Sequence, residues 1–443
     1  MRRVGSKKTL RAALRGLYRF GIVRSASYRF GPAVWRLPRE LRRRMAPESR
    51  WPRLPGVVFR RVGQSEEVRP FKLAFAGGGL NLGQRMAACQ SRLQQPSVIR
   101  LPGAWLVGKH AIPVMPDGQF LLSPFQDSPL ILGLEPHEEL LAFLRAGKFR
   151  ESPATATWCE VFPLVSRLDP NYFHWMVESC GQLQHLQAYS SATGIRPKIL
   201  VRAGGNAYIR QSLELLGYGS EILEWPEDSP SVFVAGVIQA SLPGNRVACS
   251  PSGLRWLRGK FLAAAGASGA EAGHAGAWRK IYIRRKPGGW RAVANDDEVC
   301  SRLEGMGFET ARPEGLTLAE QVRLFSEGEI IVGMHGAGLT NLLFAPGAAV
   351  LELTGDYGGG EYLSMASGLG NPYGSVKCAT VGDDIRVDVG MLAKSVSALL
   401  REVERRNVER GSGQTAFPGD IRDARSGRLA STTTDHGSRT TDQ

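Results

Sequence analysis

No apolar run in the 443-residue chain approaches the roughly 20 residues that a bilayer-crossing helix needs. The first residues also lack the apolar core of a secretory signal. The six cysteines (Cys89, Cys159, Cys180, Cys249, Cys300 and Cys378) are scattered, which argues against a zinc or redox pair and fits reduced core thiols. No Asp-x-Asp is present, so the carboxylate pair that often holds a catalytic cation is missing. The dinucleotide fingerprint is missing too. Gly77-Gly78-Gly79 comes near it, but the spacing fails at Leu82 and Gly83, which speaks against a nicotinamide enzyme and for a loop.

Acidic charge is scarce at one end only. Residues 1–53 hold sixteen Arg and Lys against Glu40 and Glu48, a net of +14 out of the chain's +15, so residues 54–443 are nearly neutral. Lys7, Arg11, Arg15 and Arg19 recur every fourth residue, with Leu10, Leu14 and Leu17 on another face. This arm (residues 1–58) reads either as an amphipathic helix lying on an anionic membrane surface or as a solvated basic segment. Its composition also fits an organellar transit peptide. Nucleic acid is the weaker partner, because no binding motif accompanies the charge. If the arm is the membrane contact, deleting residues 1–53 should release the protein from anionic vesicles; salt-insensitive binding by the truncated chain would contradict it.

Beyond the arm, residues 59–261 read as an N-terminal domain that opens with short strands and loops and continues as α/β. Residues 262–277, a low-complexity Ala/Gly run, read as a flexible linker. Residues 278–410 alternate strand and helix: Ile281–Ile283, a helix over 296–305, Phe308–Thr310, then Leu318–Ser326. Thr317 with Glu320 forms a capping box there, worth about 1 kcal/mol. Such alternation implies a parallel, doubly wound sheet with ligands at the C-terminal ends of its strands. Met391 to Arg405 reads as a helix that packs back on the N-terminal domain, and the polar residues 411–443 as disordered.

The stretch Glu329 to Leu353 stands at the centre of this second domain. Ile330, Ile331 and Val332 form a doubly buried strand, Gly333 to Gly338 turns the chain, and Leu339 to Phe344 begins a helix. Open N–H groups at such a turn suit an anion. His335, Thr340 and Asn341 could add donors. A helix terminus contributes only about 0.3–2 kcal/mol toward an anion, so cations must converge from elsewhere. Arg284 and Arg285, leaving a neighbouring strand end, are the candidates, since a guanidinium binds phosphate through two parallel hydrogen bonds.

A second informative stretch is Asp169 to Glu178. Asp169 can cap and Pro170 can open a helix. Tyr172, Met176, Ser179, Leu183 and Leu186 then make its core stripe, leaving Asn171, His174, Glu178 and His185 on another face. His174 and Glu178 lie one turn apart, so the carboxylate can orient the imidazole as a general base if this face lines a cleft; otherwise it is a polar surface.

Together these segments resemble glycosyltransferase family 61. The likeness is carried by Asn171-Tyr172-Phe173-His174-Trp175, Ile281-Tyr282-Ile283-Arg284-Arg285, Asn295 to Val299, His335-Gly336-Ala337-Gly338-Leu339-Thr340-Asn341 and Val350-Leu351-Glu352-Leu353. It implies a GT-B-like α/β fold, with two Rossmann-like doubly wound domains facing a cleft. It implies a metal-independent, inverting transfer from a nucleoside diphosphate sugar, without a separate cofactor, to a hydroxyl of a glycan or glycolipid. On that reading His174 and Glu178 are catalytic; Arg284, Arg285, His335, Gly336, Ala337, Gly338, Thr340, Asn341 and Glu352 hold the donor; Asn171 and Trp175 face the acceptor. A bacterial-type cytoplasmic enzyme at the inner face of the plasma membrane, serving surface polysaccharide synthesis, is the expectation. A non-catalytic sugar-nucleotide or polysaccharide-binding regulator of the same fold is the alternative.

Overall fold

The structure is a computed structural model and describes residues 41, 44, 56–68, 75–77, 90–121, 136–150, 158–166, 168–226, 228–244, 248–267, 278–285, 291–356 and 360–411. Most of the basic arm, Gly78 and Gly79, most of the expected linker and the tail after Gly411 lie outside these residues. Two compact units divide the chain, residues 1–403 and 404–443.

Among the described residues, ten strands precede residue 250: β1 (Val58–Arg61), β2 (Glu66–Val68), β3 (Phe75–Gly77), β4 (Ser91–Leu93), β5 (Ser97–Val107), β6 (Ile112–Val114), β7 (Trp158–Pro163), β8 (Lys198–Arg202), β9 (Ile222–Trp225) and β10 (Ser231–Ala240). The first sheet has the order β1-β5-β10-β7-β8-β9, with β6 paired to β5. It is mixed. β1, β5, β6 and β10 pair antiparallel, and β10, β7, β8 and β9 run parallel. Only that second part is wound as expected for a Rossmann-like half.

The second sheet is wholly parallel. Its strands β11 (Arg279–Ile283), β12 (Phe308–Ala311), β13 (Gly328–Met334), β14 (Ala349–Thr354) and β15 (Tyr373–Lys377) lie in the order β12-β11-β13-β14-β15, with β3 added at the β15 edge. Counted within this half, the order is 2-1-3-4-5, a doubly wound arrangement whose direction reverses between β11 and β13. Segment 75–77, read as part of the N-terminal domain, thus completes the other sheet.

Burial on both faces follows from the side chains. Ile330, Ile331 and Val332 are fully buried. Ile331, Ile281 and Ile283 join one cluster, whereas Ile330, Val332 and Tyr282 join another, as alternating strand residues must. Between these strands, Thr317 accepts from the Glu320 N–H and Glu320 accepts from the Thr317 N–H at 2.7 Å, completing the capping box of helix Leu318–Ser326.

Two expectations need correction. Helix Pro251–Ala264, capped by Ser250, continues into the expected linker, and Leu262 is fully buried, so residues 262–264 are helix. The helix expected over 391–405 spans Val389–Gly411, and its Leu392, Val396, Leu399 and Val403 pack on the second sheet, not on the N-terminal half. Helix Glu361–Leu369, closed by Gly370 at φ 77°, was hidden in the sequence by the glycines around it. Of the five cysteines among the described residues, Cys180, Cys249, Cys300 and Cys378 are buried thiols as expected, while Cys159 is exposed. No helix among the described residues is long and apolar enough to cross a membrane.

Candidate active site

The reversal point of the parallel sheet sets the site. Arg285 follows β11 and His335 follows β13, two neighbouring strands that end on the same rim. Arg285 Nη2 donates to the His335 carbonyl at 3.3 Å and Nη1 to the Arg291 carbonyl at 2.8 Å. A glycine at 336 is required by this approach: a Cβ there would fall 1.6 Å from Arg285 Nη2. The sequence therefore places the tip of a guanidinium against the turn.

Arg284 does not join it. Successive residues of an extended strand point to opposite sides. Arg284 turns to helix Asp296–Glu304, where Nε meets Asp296 and Nη2 meets Asp297, each at 2.5 Å. The Asp296 bond, then Asp297, holds its pKa well above the ordinary arginine value. Its assignment to the donor is corrected: two carboxylates already occupy this cation.

His335 is held from behind. Its Nδ1 lies 2.5 Å from Glu352 Oε1, and Tyr373 donates its hydroxyl to Glu352 Oε2. Glu352 is 1% exposed, so it orients the imidazole instead of meeting a ligand itself. Ala337 and Gly338, at the start of the 3-10 helix Ala337–Phe344, are partly exposed. Thr340 and Asn341 are fully buried, against the expectation that they reach a phosphate.

Asn341 has another partner. Tyr172 donates its hydroxyl to Asn341 Oδ1 at 2.9 Å, a bond from the second informative stretch straight into the first. That stretch forms a π-helix, His174–Ser179, in which the Cys180 N–H reaches the Trp175 carbonyl at 2.9 Å. Such wide turns concentrate at functional sites. Ahead of it Asn171, not Asp169, accepts from the Phe173 N–H, at 3.0 Å. Trp175 is fully buried and donates Nε1–H to Ser212 at 2.7 Å, which removes it from the acceptor side. His185 is likewise interior, with Nδ1 3.0 Å from the Ser241 carbonyl.

His174 Nδ1 lies 2.8 Å from Glu178 Oε2, and both side chains keep about a quarter or more of their surface open, 30% and 25%. The expected pair therefore forms where solvent reaches it. The two histidines are joined by a run of edge-to-face rings: His174 to Phe173 at 5.4 Å, Phe173 to Tyr362 at 5.7 Å and Tyr362 to His335 at 5.5 Å. Tyr362 escaped sequence reasoning because its helix did. The apolar spacing Tyr362, Met365, Ala366, Leu369 was the available signal. Burial, then the charges of Glu361 and Glu352, push its hydroxyl pKa far up, so it stays a neutral phenol.

Asp169 sits beneath the π-helix, 5% exposed, accepting from the Ser166 N–H and from Ser179 Oγ at 3.3 Å. Burial raises its pKa to about 7, against the pull of those hydrogen bonds and of Arg202 and His174. A carboxyl whose folded pKa exceeds its unfolded value loses stability as pH rises between the two, here from 3.8 to about 7. Asp169→Asn should therefore stabilise the protein at pH 8 by about 1–4 kcal/mol and change little near pH 4. Denaturant unfolding at both values checks this; equal gains at both would contradict a raised pKa.

The fold and site thus define an α/β protein with an anion-suited rim on a parallel sheet and a histidine–glutamate pair linked to it through the rings of Phe173 and Tyr362. Residues 172–351 match the family model described as Glycosyltransferase 61, and this part of the chain is a glycosyltransferase family 61 domain. The chain is 35% identical over 85 residues to alpha-1,3-arabinosyltransferase XAT3 of Oryza sativa subsp. japonica, covering 18% of this chain and 15% of that protein. It is 37% identical over 79 residues to the EGF domain-specific O-linked N-acetylglucosamine transferase of Drosophila melanogaster, covering 17% and 15%. The protein of that name in Mus musculus is 36% identical over 80 residues, again 17% and 15%. These matches span about 15% of the relatives' own lengths.

Proposed function

We propose that the protein is a glycosyltransferase that moves a sugar from a nucleoside diphosphate sugar to a hydroxyl of a glycan or glycolipid, with inversion and without a metal ion. The observation that carries this reading is a direct bond between the His174 segment and the rim segment. Arg285 and His335 stand at the reversal point of the parallel sheet, and the Tyr172–Asn341 bond brings the His174 helix against the same turn. In this reading the two sheets are the two halves of a GT-B arrangement.

Arg285, His335 and the first N–H groups of helix 337–344 would meet the diphosphate and stabilise the charge it gains on leaving. With Glu178 ionised, the His174 Nδ1–H donates to it and Nε2 offers a lone pair. The acceptor O–H passes its proton to Nε2 as the oxygen bonds to the anomeric carbon. The bond from that carbon to the diphosphate oxygen breaks, and the diphosphate takes the electron pair. No Asp-x-Asp is present to hold a cation, which leaves the charge to side chains and backbone.

A thermal-shift panel of UDP-, GDP- and CMP-sugars with NAD tests the donor class. A nucleoside diphosphate sugar at about 100 times its Kd should stabilise the fold by about 2.7 kcal/mol. A response to NAD alone, or to none of the sugars, would overturn the reading.

A further inference from the structure

Arg258 is a buried cation that the proposed chemistry does not use. It is 8% exposed and projects from helix Pro251–Ala264, which packs against helices Leu318–Ser326, Glu361–Leu369 and Ala337–Phe344. Its guanidinium makes five hydrogen bonds. Nε donates to the Leu343 carbonyl at 2.8 Å and Nη1 to the Leu369 carbonyl at 3.3 Å. Nη2 reaches the carbonyls of Leu342 at 3.1 Å and Ala345 at 3.4 Å, and Asn371 Oδ1 at 2.9 Å. Asn371 in turn donates to the Ala345 and Ala348 carbonyls at 2.8 and 2.7 Å.

The four carbonyls share one property. The last carbonyls of a helix lack partners within it and carry its negative dipole end, so a cation there satisfies both needs. Leu342, Leu343 and Ala345 close the helix that begins at the His335 turn. Leu369 closes the helix whose second residue, Tyr362, packs on the His335 ring at 5.5 Å. One side chain therefore grips the far ends of both helices whose near ends border the site.

We infer that Arg258 is a positioning residue: it fixes the Ala337–Phe344 and Glu361–Leu369 helices relative to one another and so holds the His335 turn in shape for a diphosphate. This inference rests on the donor reading above only in its last clause. Lysine cannot replace it fully, because one ammonium with three donors cannot span five acceptors in the fork of a guanidinium.

Hydrogen exchange on the full chain, without nucleotide, tests the positioning. The variants are Arg258→Met, Arg258→Lys and Leu200→Ala, the last emptying a buried site in the first sheet as a control for general loss of stability. Arg258→Met should exchange at least about tenfold faster over 337–345 and 361–370 than Leu200→Ala compared at equal remaining stability, with Arg258→Lys between. UDP and GDP titrations should show at least about tenfold weaker binding for Arg258→Met than for Leu200→Ala. Exchange that rises evenly along the chain, or equally in both variants, would overturn the inference. If the unaltered protein binds neither nucleotide, the donor reading fails while local exchange still decides the role of Arg258.

Discussion

His174→Ala is expected to lower turnover by about 10²–10⁴-fold while leaving nucleotide-sugar affinity close to its starting value, the usual span for a lost general base. The expectation rests on position and partner. His174 keeps 30% of its side chain open, and its Nδ1 is committed to Glu178 at 2.8 Å, which leaves Nε2 as the nitrogen to take a substrate proton. It also stands on the helical segment that the Tyr172–Asn341 bond ties to the helix after the His335 turn. Glu178→Gln keeps the shape of the pair but loses the charge that orients the ring, so it should cost less. Steady-state kinetics with both variants decide the roles. Near-normal turnover in His174→Ala with abolished turnover in Glu178→Gln would transfer the base to Glu178.

The second large effect concerns the rim. Arg285→Ala should weaken nucleotide binding by about 10–100-fold, the worth of a charge-assisted hydrogen bond of roughly 1.5–3 kcal/mol. His335→Ala should weaken it in the same direction. Gly336→Ala should reproduce part of the Arg285 defect, because the new methyl would fall 1.6 Å from Arg285 Nη2 and displace the guanidinium. Arg284→Ala provides the contrast. Its cation serves Asp296 and Asp297, so its removal should leave nucleotide affinity within about threefold while loosening the start of helix Asp296–Glu304. Calorimetric titration of the four variants would contradict this placement if Arg284→Ala lost more affinity than Arg285→Ala.

Much of the second half was legible because its signals are local. The β-branched run at Ile330 to Val332, the Thr317–Glu320 box and the alternation of strands and helices each specify an element within a few residues. The strand-turn-helix at His335 was legible for the same reason, although a glycine turn alone serves equally well as a tight connection. What the sequence hid was direction. Arg284 and Arg285 are equal as letters, and only the strand's twofold alternation sends one to Asp296 and the other to His335. Trp175 and Asn341 looked like ligand contacts but point inward, one to Ser212 and one to Tyr172. The π-helix contributed to this, because a turn five residues wide rotates side chains away from the faces that a regular helix predicts. Tyr362 was masked by neighbouring glycines, and β3 joins its sheet from some 300 residues away, which no local pattern records.

The central claim is that the rim and the histidine pair together carry out sugar transfer, and release of nucleoside diphosphate from a bound nucleotide sugar tests it most directly. The account predicts that the unaltered chain releases diphosphate when a hydroxyl acceptor is supplied, that Arg285→Ala fails for want of donor, and that His174→Ala binds donor yet releases it at least about a hundredfold more slowly. Tight binding of a nucleotide sugar with no release above the uncatalysed rate, across a broad set of glycan acceptors, would contradict it and leave a sugar-nucleotide-binding protein in its place.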